Sequence, residues 1–297
     1  MTDAAGGDQW VRAVAADGQI RVLAARTTGT VETARRRHGT APTATAALGR
    51  VLTAAALLAV LLKDDQKLTL RILGDGPLGG LVADGLPDGR VRGYVQHPDV
   101  HLPLRPDGKL DVGGAVGRRG TISVTRDLGL REPYTGSALL VSGEIGEDLT
   151  AYLWQSEQTP SLVSLGVLVN PDGSVRAAGG LLVQLLPGAD PEWARRLEAN
   201  ARSLAGISRR VDDGLSPAGM AERVLEGFDS RILAEGEVRF ACGCSRARVE
   251  GLLAALGREE LTRMLEEDGG AELTCRFCGE RYNFGADDLR RLLLREA

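Results

Sequence analysis

Cysteine is absent from the first 241 residues of this 297-residue chain, and histidine occurs only three times in the whole sequence. The missing cysteines exclude a disulfide framework and a thiolate-bound metal from the first four-fifths of the chain. His97 and His101 are four residues apart, but Pro98 breaks the helix that would bring both side chains to one face. We therefore predict no metal site at these histidines.

Lysine and aromatic residues are also scarce. Lysine occurs three times, so arginine carries nearly all the positive charge, and aromatic residues make up 4% of the chain. The formal net charge is −4. Proteins that bind nucleic acid usually carry a basic excess and place aromatic side chains where bases can stack. The composition therefore predicts a protein without a nucleic-acid partner.

A long apolar segment and a leader sequence are missing as well. The longest apolar run, residues 53–62, is shorter than the roughly 20 residues that span a bilayer. Residues 1–9 are polar and lack the apolar stretch and cleavage site of a secretory signal. We therefore expect a cytoplasmic protein with no membrane partner, in a compartment that keeps thiols reduced.

Common catalytic signatures are absent too. The sequence contains no G-x-S-x-G, no H-E-x-x-H and no convincing dinucleotide fingerprint. The glycine-rich residues 74–80 lack the lysine and hydroxyl residue of a phosphate-binding loop, and they are typical of turns. We therefore predict that the protein is not an enzyme.

Residues 1–186 have the pattern of an α+β domain. Apolar runs on either side of Asp17-Gly18 predict a hairpin over residues 10–26. A helix is predicted over residues 43–62, apolar on nearly all sides and therefore buried. Strands are predicted at residues 68–73, 80–83, 90–96, 121–126, 138–142, 162–169 and 174–186, with a further helix over residues 146–158.

Residues 187–238 change to a helical periodicity. Two apolar stripes recur at spacings of three and four, with charged residues on the opposite faces. The stripes consist of Trp193, Leu197, Leu204, Met220, Val224 and Phe228. We predict an amphipathic helical linker whose apolar faces need to be covered.

The last segment, residues 239–297, contains a C-x-C pair and a C-x-x-C pair with thirty residues between them. The cysteines are Cys242, Cys244, Cys275 and Cys278. Two such pairs can bring four thiolates to one tetrahedral ion, which is commonly zinc. We predict a small domain stabilised by one Zn²⁺ per chain. Structural disulfides and unligated buried thiols are the alternatives.

Local patterns in this segment predict helices and one hairpin. The helices are expected over residues 245–256, 258–267 and 286–296. The hairpin is expected over residues 272–284, with C-x-x-C at its tip. A domain of this size is marginally stable without a metal or a disulfide.

Several segments together point to a known family. They are F-A-C-G-C-S-R at residues 240–246, T-C-R-F-C-G-E-R-Y-N-F at 274–284, Y-L-W-Q-S-E-Q-T-P at 152–160, L-G-V at 165–167 and A-A-G-G-L-L-V-Q-L-L-P at 177–187. In these segments the chain resembles the bacterial 33-kDa heat-shock chaperone family, across all three regions and in the family's order.

This resemblance implies a redox-regulated holdase that binds unfolded client proteins. The form that is reduced and zinc-bound would be inactive, and oxidants that release the metal would activate it. The resemblance assigns the zinc to Cys242, Cys244, Cys275 and Cys278, and the oxidised disulfides to Cys242–Cys244 and Cys275–Cys278. It also implies a homodimer on activation. The two apolar stripes of the linker are our hypothesis for the client-binding surface.

Two other functions remain open. The zinc module could be purely structural, as in a nucleic-acid-binding factor. A thiol–disulfide oxidoreductase would also use C-x-x-C, although normally at a helix N-terminus rather than in a hairpin. A further hypothesis concerns arginines near the thiolates in sequence, which would lower the thiol pKa or attract anionic oxidants. They are Arg246, Arg248, Arg276 and Arg281.

Overall fold

The computed structural model describes residues 7–63 and 65–295, and the chain divides into two compact units, Met1–Phe240 and Ala241–Ala297. The α+β fold class predicted from the sequence is confirmed, since both units combine strands with helices. Residues 1–6, on which most of the expectation about a leader sequence rests, lie outside the described residues. So does residue 296, the predicted end of the last helix.

The first unit alternates antiparallel strands with helices. In chain order its elements are β1 (Gln9–Ala15), β2 (Ile20–Arg26), α1 (Thr28–His38), α2 (Pro42–Ala59), β3 (Lys67–Gly74), β4 (Gly80–Gly85), β5 (Arg90–Val95), α3 (Val112–Val116), β6 (Gly120–Asp127), β7 (Tyr134–Leu139), α4 (Gly146–Gln155), β8 (Ser161–Val169), β9 (Val175–Leu185), α5 (Glu192–Arg202), α6 (Ile207–Asp212), α7 (Pro217–Val224), β10 (Ser230–Glu237) and β11 (Arg239–Phe240).

The strands of the first unit form two sheets. One has five strands in the order β10-β1-β2-β9-β8, and the other has six in the order β11-β5-β4-β3-β6-β7. The described pairs are antiparallel except for β11, which runs parallel to β5. The predicted hairpin is confirmed: β1 and β2 are joined by a short 3₁₀ turn, Ala16–Gly18.

Helix α2 lies at the centre of the main core, as its composition predicts. It packs against strands of both sheets, and most of its side chains are fully buried. Strand β4 approaches it closely at Gly85, where a Cβ atom would lie 2.7 Å from the carbonyl oxygen of Ala55. Among the described residues α2 is the one helix long and apolar enough to cross a membrane, but 89% of it is buried inside the protein. It is a core helix.

The segment predicted as a helical linker is helical only in part. Helices α5, α6 and α7 occupy residues 192–224, but residues 230–237 form β10, which pairs with β1 at the edge of the five-stranded sheet. The prediction of helix was wrong for this strand. Its residues are almost all exposed at the sheet edge, so the sequence lacks the apolar alternation that would have revealed a strand.

The three linker helices cover one face of the five-stranded sheet. Leu197, Leu204, Met220 and Val224 are each at most 3% exposed. They form one apolar cluster with sheet residues that include Ile20, Val22, Leu181 and Val183. The structure therefore covers the apolar faces of the linker with the first unit's own sheet.

Further elements differ from the sequence prediction, among them the short helix α3, which the sequence pattern did not predict. Helix α1 has no counterpart in it, because the helix is rich in arginine and buries little beyond Thr30, Val31 and Ala34. The strand predicted at residues 138–142 lies at Tyr134–Leu139 instead. It ends early because the backbone N–H groups of residues 141–143 donate to Oδ1 of Asp148 rather than to a neighbouring strand.

The second unit is small and has a core of its own. Its elements are α8 (Arg246–Ala254), α9 (Arg258–Glu267), β12 (Gly270–Thr274), β13 (Arg281–Gly285) and α10 (Ala286–Arg295), close to the predicted positions. The buried apolar side chains of this core are Val249, Leu253, Leu261, Phe284, Leu289 and Leu292. So small a core favours a domain that depends on an additional cross-link.

The packing of the linker helices on the sheet predicts a clear stability effect. Met220→Ala removes a fully buried side chain and should lower the free energy of unfolding of the reduced protein by about 2–5 kcal/mol. The exposed residue Glu222 of the same helix provides the control, because Glu222→Ala should change it by less than about 0.5 kcal/mol. Urea denaturation measures both. Equal, small effects would contradict the packing described here.

Candidate metal centre

The C-x-x-C pair forms a tight turn at the tip of the β12–β13 hairpin. The N–H groups of Cys278 and Gly279 donate to the carbonyl oxygen of Cys275, at 3.2 and 2.8 Å. The N–H of Cys275 donates to the carbonyl oxygen of Glu280 at 2.8 Å and closes the loop. Gly279 has a φ of +70°, a conformation that favours glycine. These bonds hold both thiols on one side of the turn.

The C-x-C pair directly precedes helix α8. Ser245, the next residue after Cys244, is the N-cap of α8, and its Oγ accepts a hydrogen bond from the N–H of Arg248 at 3.2 Å. Gly243, between the two cysteines, has room on all sides, because a Cβ atom there would meet nothing within 4 Å. The start of a helix therefore fixes this pair, whereas a hairpin turn fixes the other.

The four sulfur atoms converge as the sequence predicts. Sγ of Cys242 lies 3.8 Å from Sγ of Cys275, and Sγ of Cys244 lies 3.3 Å from Sγ of Cys278. All four atoms lie within 4.8 Å of one another. Both of these sulfur–sulfur contacts join one cysteine of the C-x-C pair to one cysteine of the C-x-x-C pair.

This arrangement fits a tetrahedral zinc ion. Four sulfurs bound at about 2.3 Å to a central zinc lie about 3.8 Å apart. A disulfide needs sulfurs about 2.05 Å apart, and all four cysteines are free thiols in this structure. The four sulfur atoms and their spacing therefore match a closed four-sulfur metal site better than they match structural disulfides.

Burial makes the unligated thiols reluctant to ionise. Desolvation raises the pKa of Cys244 and of Cys278, and the Cys278 side chain is almost completely buried. A divalent cation reverses this preference, because a coordinated thiol loses its proton. The four thiols together could therefore hold a divalent metal ion.

Tyr282 is a neighbour of the cluster that sequence reasoning missed. Its hydroxyl donates to Sγ of Cys244 at 3.1 Å, and this contact is the main reason that the pKa of Tyr282 is raised. The same hydrogen bond opposes the burial that raises the pKa of Cys244. Tyr282 follows Cys278 by four residues on β13, and this position in the hairpin is the one signal that could have identified it.

The structure gives Arg246 a different role from the one hypothesised. Its Nη1 donates to the carbonyl oxygen of Asn283 at 2.8 Å, and its Nη2 pairs with Asp288 at 2.7 Å. The guanidinium also lies over the ring of Phe284, 4.3 Å from the centroid. Arg246 thus connects α8 to β13 and α10. Desolvation by burial is the largest cause of the raised pKa values of Cys244 and Cys278.

The residues hypothesised to bind clients lie together in the first unit. Leu197, Leu204, Met220 and Val224 are buried on the five-stranded sheet. Trp193 and Phe228 are partly buried beside them and pack edge to face, with ring centroids 6.1 Å apart. The structure therefore joins the two stripes into one surface, which is covered in this state.

The chain is similar to known proteins over nearly its whole length. A family model described as Hsp33 protein matches residues 8–285. The chain is 54% identical over 288 residues to the 33 kDa chaperonin of Desulforamulus reducens, covering 97% of this chain and 98% of that protein. It is 50% identical over 285 residues to the 33 kDa chaperonin of Bacillus subtilis, covering 96% and 98%.

A solved structure is similar over nearly the whole chain. The crystal structure of the 33 kDa chaperonin, a heat shock protein 33 homolog, from Thermotoga maritima gives a TM-score of 0.91 at 37% sequence identity. The match covers 98% of this chain and 99% of that chain.

The Tyr282 contact predicts that Tyr282→Phe weakens zinc binding. Loss of a hydrogen bond to a ligand atom typically costs about 10–100-fold in metal affinity. Competition with a chromogenic chelator measures the affinity, and Tyr134→Phe, at an exposed tyrosine of the first unit, is the control. If Tyr282→Phe binds zinc as tightly as the unaltered protein, the hydrogen bond does not support the metal site.

Proposed function

Because this chain belongs to the Hsp33 family, we propose that it is a redox-regulated holdase that keeps unfolding proteins from aggregating under oxidative stress. In the reduced state it would hold one zinc ion and be inactive. Oxidation would release the ion and switch client binding on. The proposed activity is binding and not catalysis, and we place it in the cytoplasm, where thiols are kept reduced until an oxidant appears.

The single observation that supports this proposal is the convergence of two cysteine pairs on one point in a small unit. The pairs are separated by thirty residues, and the sulfur atoms of all four cysteines lie within 4.8 Å of one another. Bound Zn²⁺ would offset half of the charge of the four thiolates and tie the start of α8 to the β12–β13 turn. Structural zinc sites contribute roughly 10–16 kcal/mol to the folding of small domains.

We propose that oxidation forms the disulfides Cys242–Cys244 and Cys275–Cys278. Each disulfide forms when two thiolates lose two electrons. One molecule of hydrogen peroxide accepts those electrons together with two protons and becomes two molecules of water. Two peroxides would therefore consume all four thiolates and leave the metal without ligands.

These disulfides would not replace the constraint that is lost. They close loops of only three and four residues, whereas the converging thiolates link positions more than thirty residues apart. In the chain-entropy model, a disulfide that closes a loop of three residues restrains the unfolded chain by about 2 kcal/mol less than one that closes a loop ten times longer. The second unit, with its core of six buried apolar side chains, should then unfold.

The proposed client-binding surface is the apolar face of the linker helices. It rests on the five-stranded sheet, and β10 and β11 lead from it directly into Cys242. Unfolding of the second unit would leave the C-terminal end of the linker attached to a flexible chain instead of a folded unit. The released face would offer about 1.5–3 kcal/mol for each large apolar side chain that a client covers. We also propose that the active form is a homodimer.

Two alternatives compete with this proposal. A purely structural zinc module, as in a nucleic-acid-binding factor, would keep its metal under peroxide and gain no client binding. A thiol–disulfide oxidoreductase would normally carry C-x-x-C at a helix N-terminus, whereas here Cys275 and Cys278 form the turn of a hairpin. The acidic net charge also weighs against a nucleic-acid partner.

Removal of one zinc ligand should activate the protein partially without an oxidant. Cys242→Ser leaves three thiolates, so zinc affinity should fall by more than about 100-fold, which exceeds the loss expected when a hydrogen bond to a ligand atom is removed. Suppression of the aggregation of a denatured client, followed by light scattering, should then appear under reducing conditions. Gly243→Ala is the matched control, because it changes the residue between the two cysteines and should stay zinc-bound and inactive. A zinc-free Cys242→Ser protein without any holding activity would contradict the switch.

Charges on the apolar face of the linker should impair client binding. The double variant Leu197→Asp, Leu204→Asp should lose most of the holding activity of the oxidised protein, because each carboxylate would have to be buried against the client. The double variant Ala199→Asp, Ser203→Asp places the same charges at exposed positions of the same region and should retain the activity. Equal activity of the two variants would place the client site elsewhere.

A further inference from the structure

Two arginines lie side by side on the face of the five-stranded sheet opposite the linker helices. Arg12 is on β1 and Arg21 on β2. The strand register pairs Arg12 with Leu23 and Arg21 with Val14, so the arginines are diagonal neighbours. Side chains alternate along a strand, so both point to the same face as Leu23, which belongs to the main core.

Among the described residues, no carboxylate lies within ion-pair distance of either guanidinium. Nε and Nη2 of Arg21 both donate to Oε1 of Gln184, at 3.0 and 2.7 Å, and this amide is neutral and nearly fully buried. Nε of Arg12 is shielded from water and has no hydrogen-bond partner in the part of the chain that the structure describes. Buried polar groups of native proteins are almost always paired, so the Arg12 guanidinium is poorly compensated within the protein.

The surroundings do not neutralise the two charges. The carboxylate that acts on Arg21 is Glu157, and Glu157 is already bound to Nη2 of Arg126 at 2.6 Å. Arg21 and Arg126 therefore share one carboxylate. Burial and the repulsion from Arg12 lower the pKa of Arg21, the direction expected where like charges are close and poorly solvated.

The backbone is also irregular at this point. Arg12 pairs with Ala234 of β10, but the next residue, Ala13, pairs with Ile232, so Leu233 has no partner. This β-bulge lies directly opposite Arg12. Bulges bend a strand and redirect its side chains, and they are common next to binding sites.

We propose that Arg12 and Arg21 form a binding site for an oxyanion of the phosphate class, with the Nη N–H groups of both arginines as donors. Guanidinium groups donate in pairs to the oxygens of phosphate, and a multiply charged anion would neutralise both arginines. The shared chemistry would suit inorganic phosphate or the phosphate groups of a nucleotide. The site is built from the first unit alone and does not depend on the zinc centre.

The experiment is a titration of the reduced, zinc-loaded full chain. Inorganic phosphate, pyrophosphate and ATP are added separately, with sodium chloride at the same ionic strength as reference, and unfolding temperature and calorimetric heat are recorded. We expect saturable stabilisation by at least one phosphate species. The most effective species distinguishes a free phosphate from a nucleotide site.

The variants locate the site. Arg12→Gln and Arg21→Gln should each weaken the affinity at least tenfold, whereas Arg195→Gln, at an exposed arginine of α5, should leave it unchanged. Arg12→Met is a second variant, which replaces the guanidinium with an apolar side chain. This protein should still fold, and phosphate should no longer stabilise it. Stabilisation no greater than that by sodium chloride would overturn the proposal, and so would equal phosphate affinity in Arg12→Gln and the unaltered chain.

Discussion

Two cysteine pairs, thirty residues apart in the sequence, meet at a single point in the second unit. One pair is positioned by the N-cap of α8 and the other by the hydrogen-bonded tip of the β12–β13 hairpin. A core of six buried apolar side chains is too small to hold these elements together securely without help. A four-thiolate zinc ion would join them directly, and its removal would affect the whole unit rather than one loop.

The first unit has the opposite character. Its core joins both sheets through α2, which is buried along nearly its full length. The linker helices add a second core on the other face of the five-stranded sheet. This difference in core size suits the proposed switch, because a unit with a large core would persist while a unit that relied on a metal unfolded. Release of the linker would still have to break a well-packed interface, in which Met220 and Val224 are fully buried.

The sequence predicted features that depend on local chemistry. The four cysteines converge as their spacing predicts, the buried helix predicted over residues 43–62 is found at Pro42–Ala59, and the helix predicted over residues 245–256 is found at Arg246–Ala254. Features that depend on tertiary context were missed. Strand β10 is an exposed sheet edge without apolar alternation, α1 buries few side chains, and Tyr282 acquires its role only when the hairpin folds towards Cys244. Nor could spacing show that the linker's apolar faces are covered by the sheet.

The most direct test of the central claim combines three readings on the same samples, before and after treatment with peroxide at raised temperature. These are the zinc content, the number of free thiols and the suppression of client aggregation. We expect one zinc ion to leave, four thiols to disappear, and aggregation to be suppressed only by the oxidised protein. If zinc stays bound, or leaves without any gain in suppression, the metal is purely structural and the redox switch is contradicted.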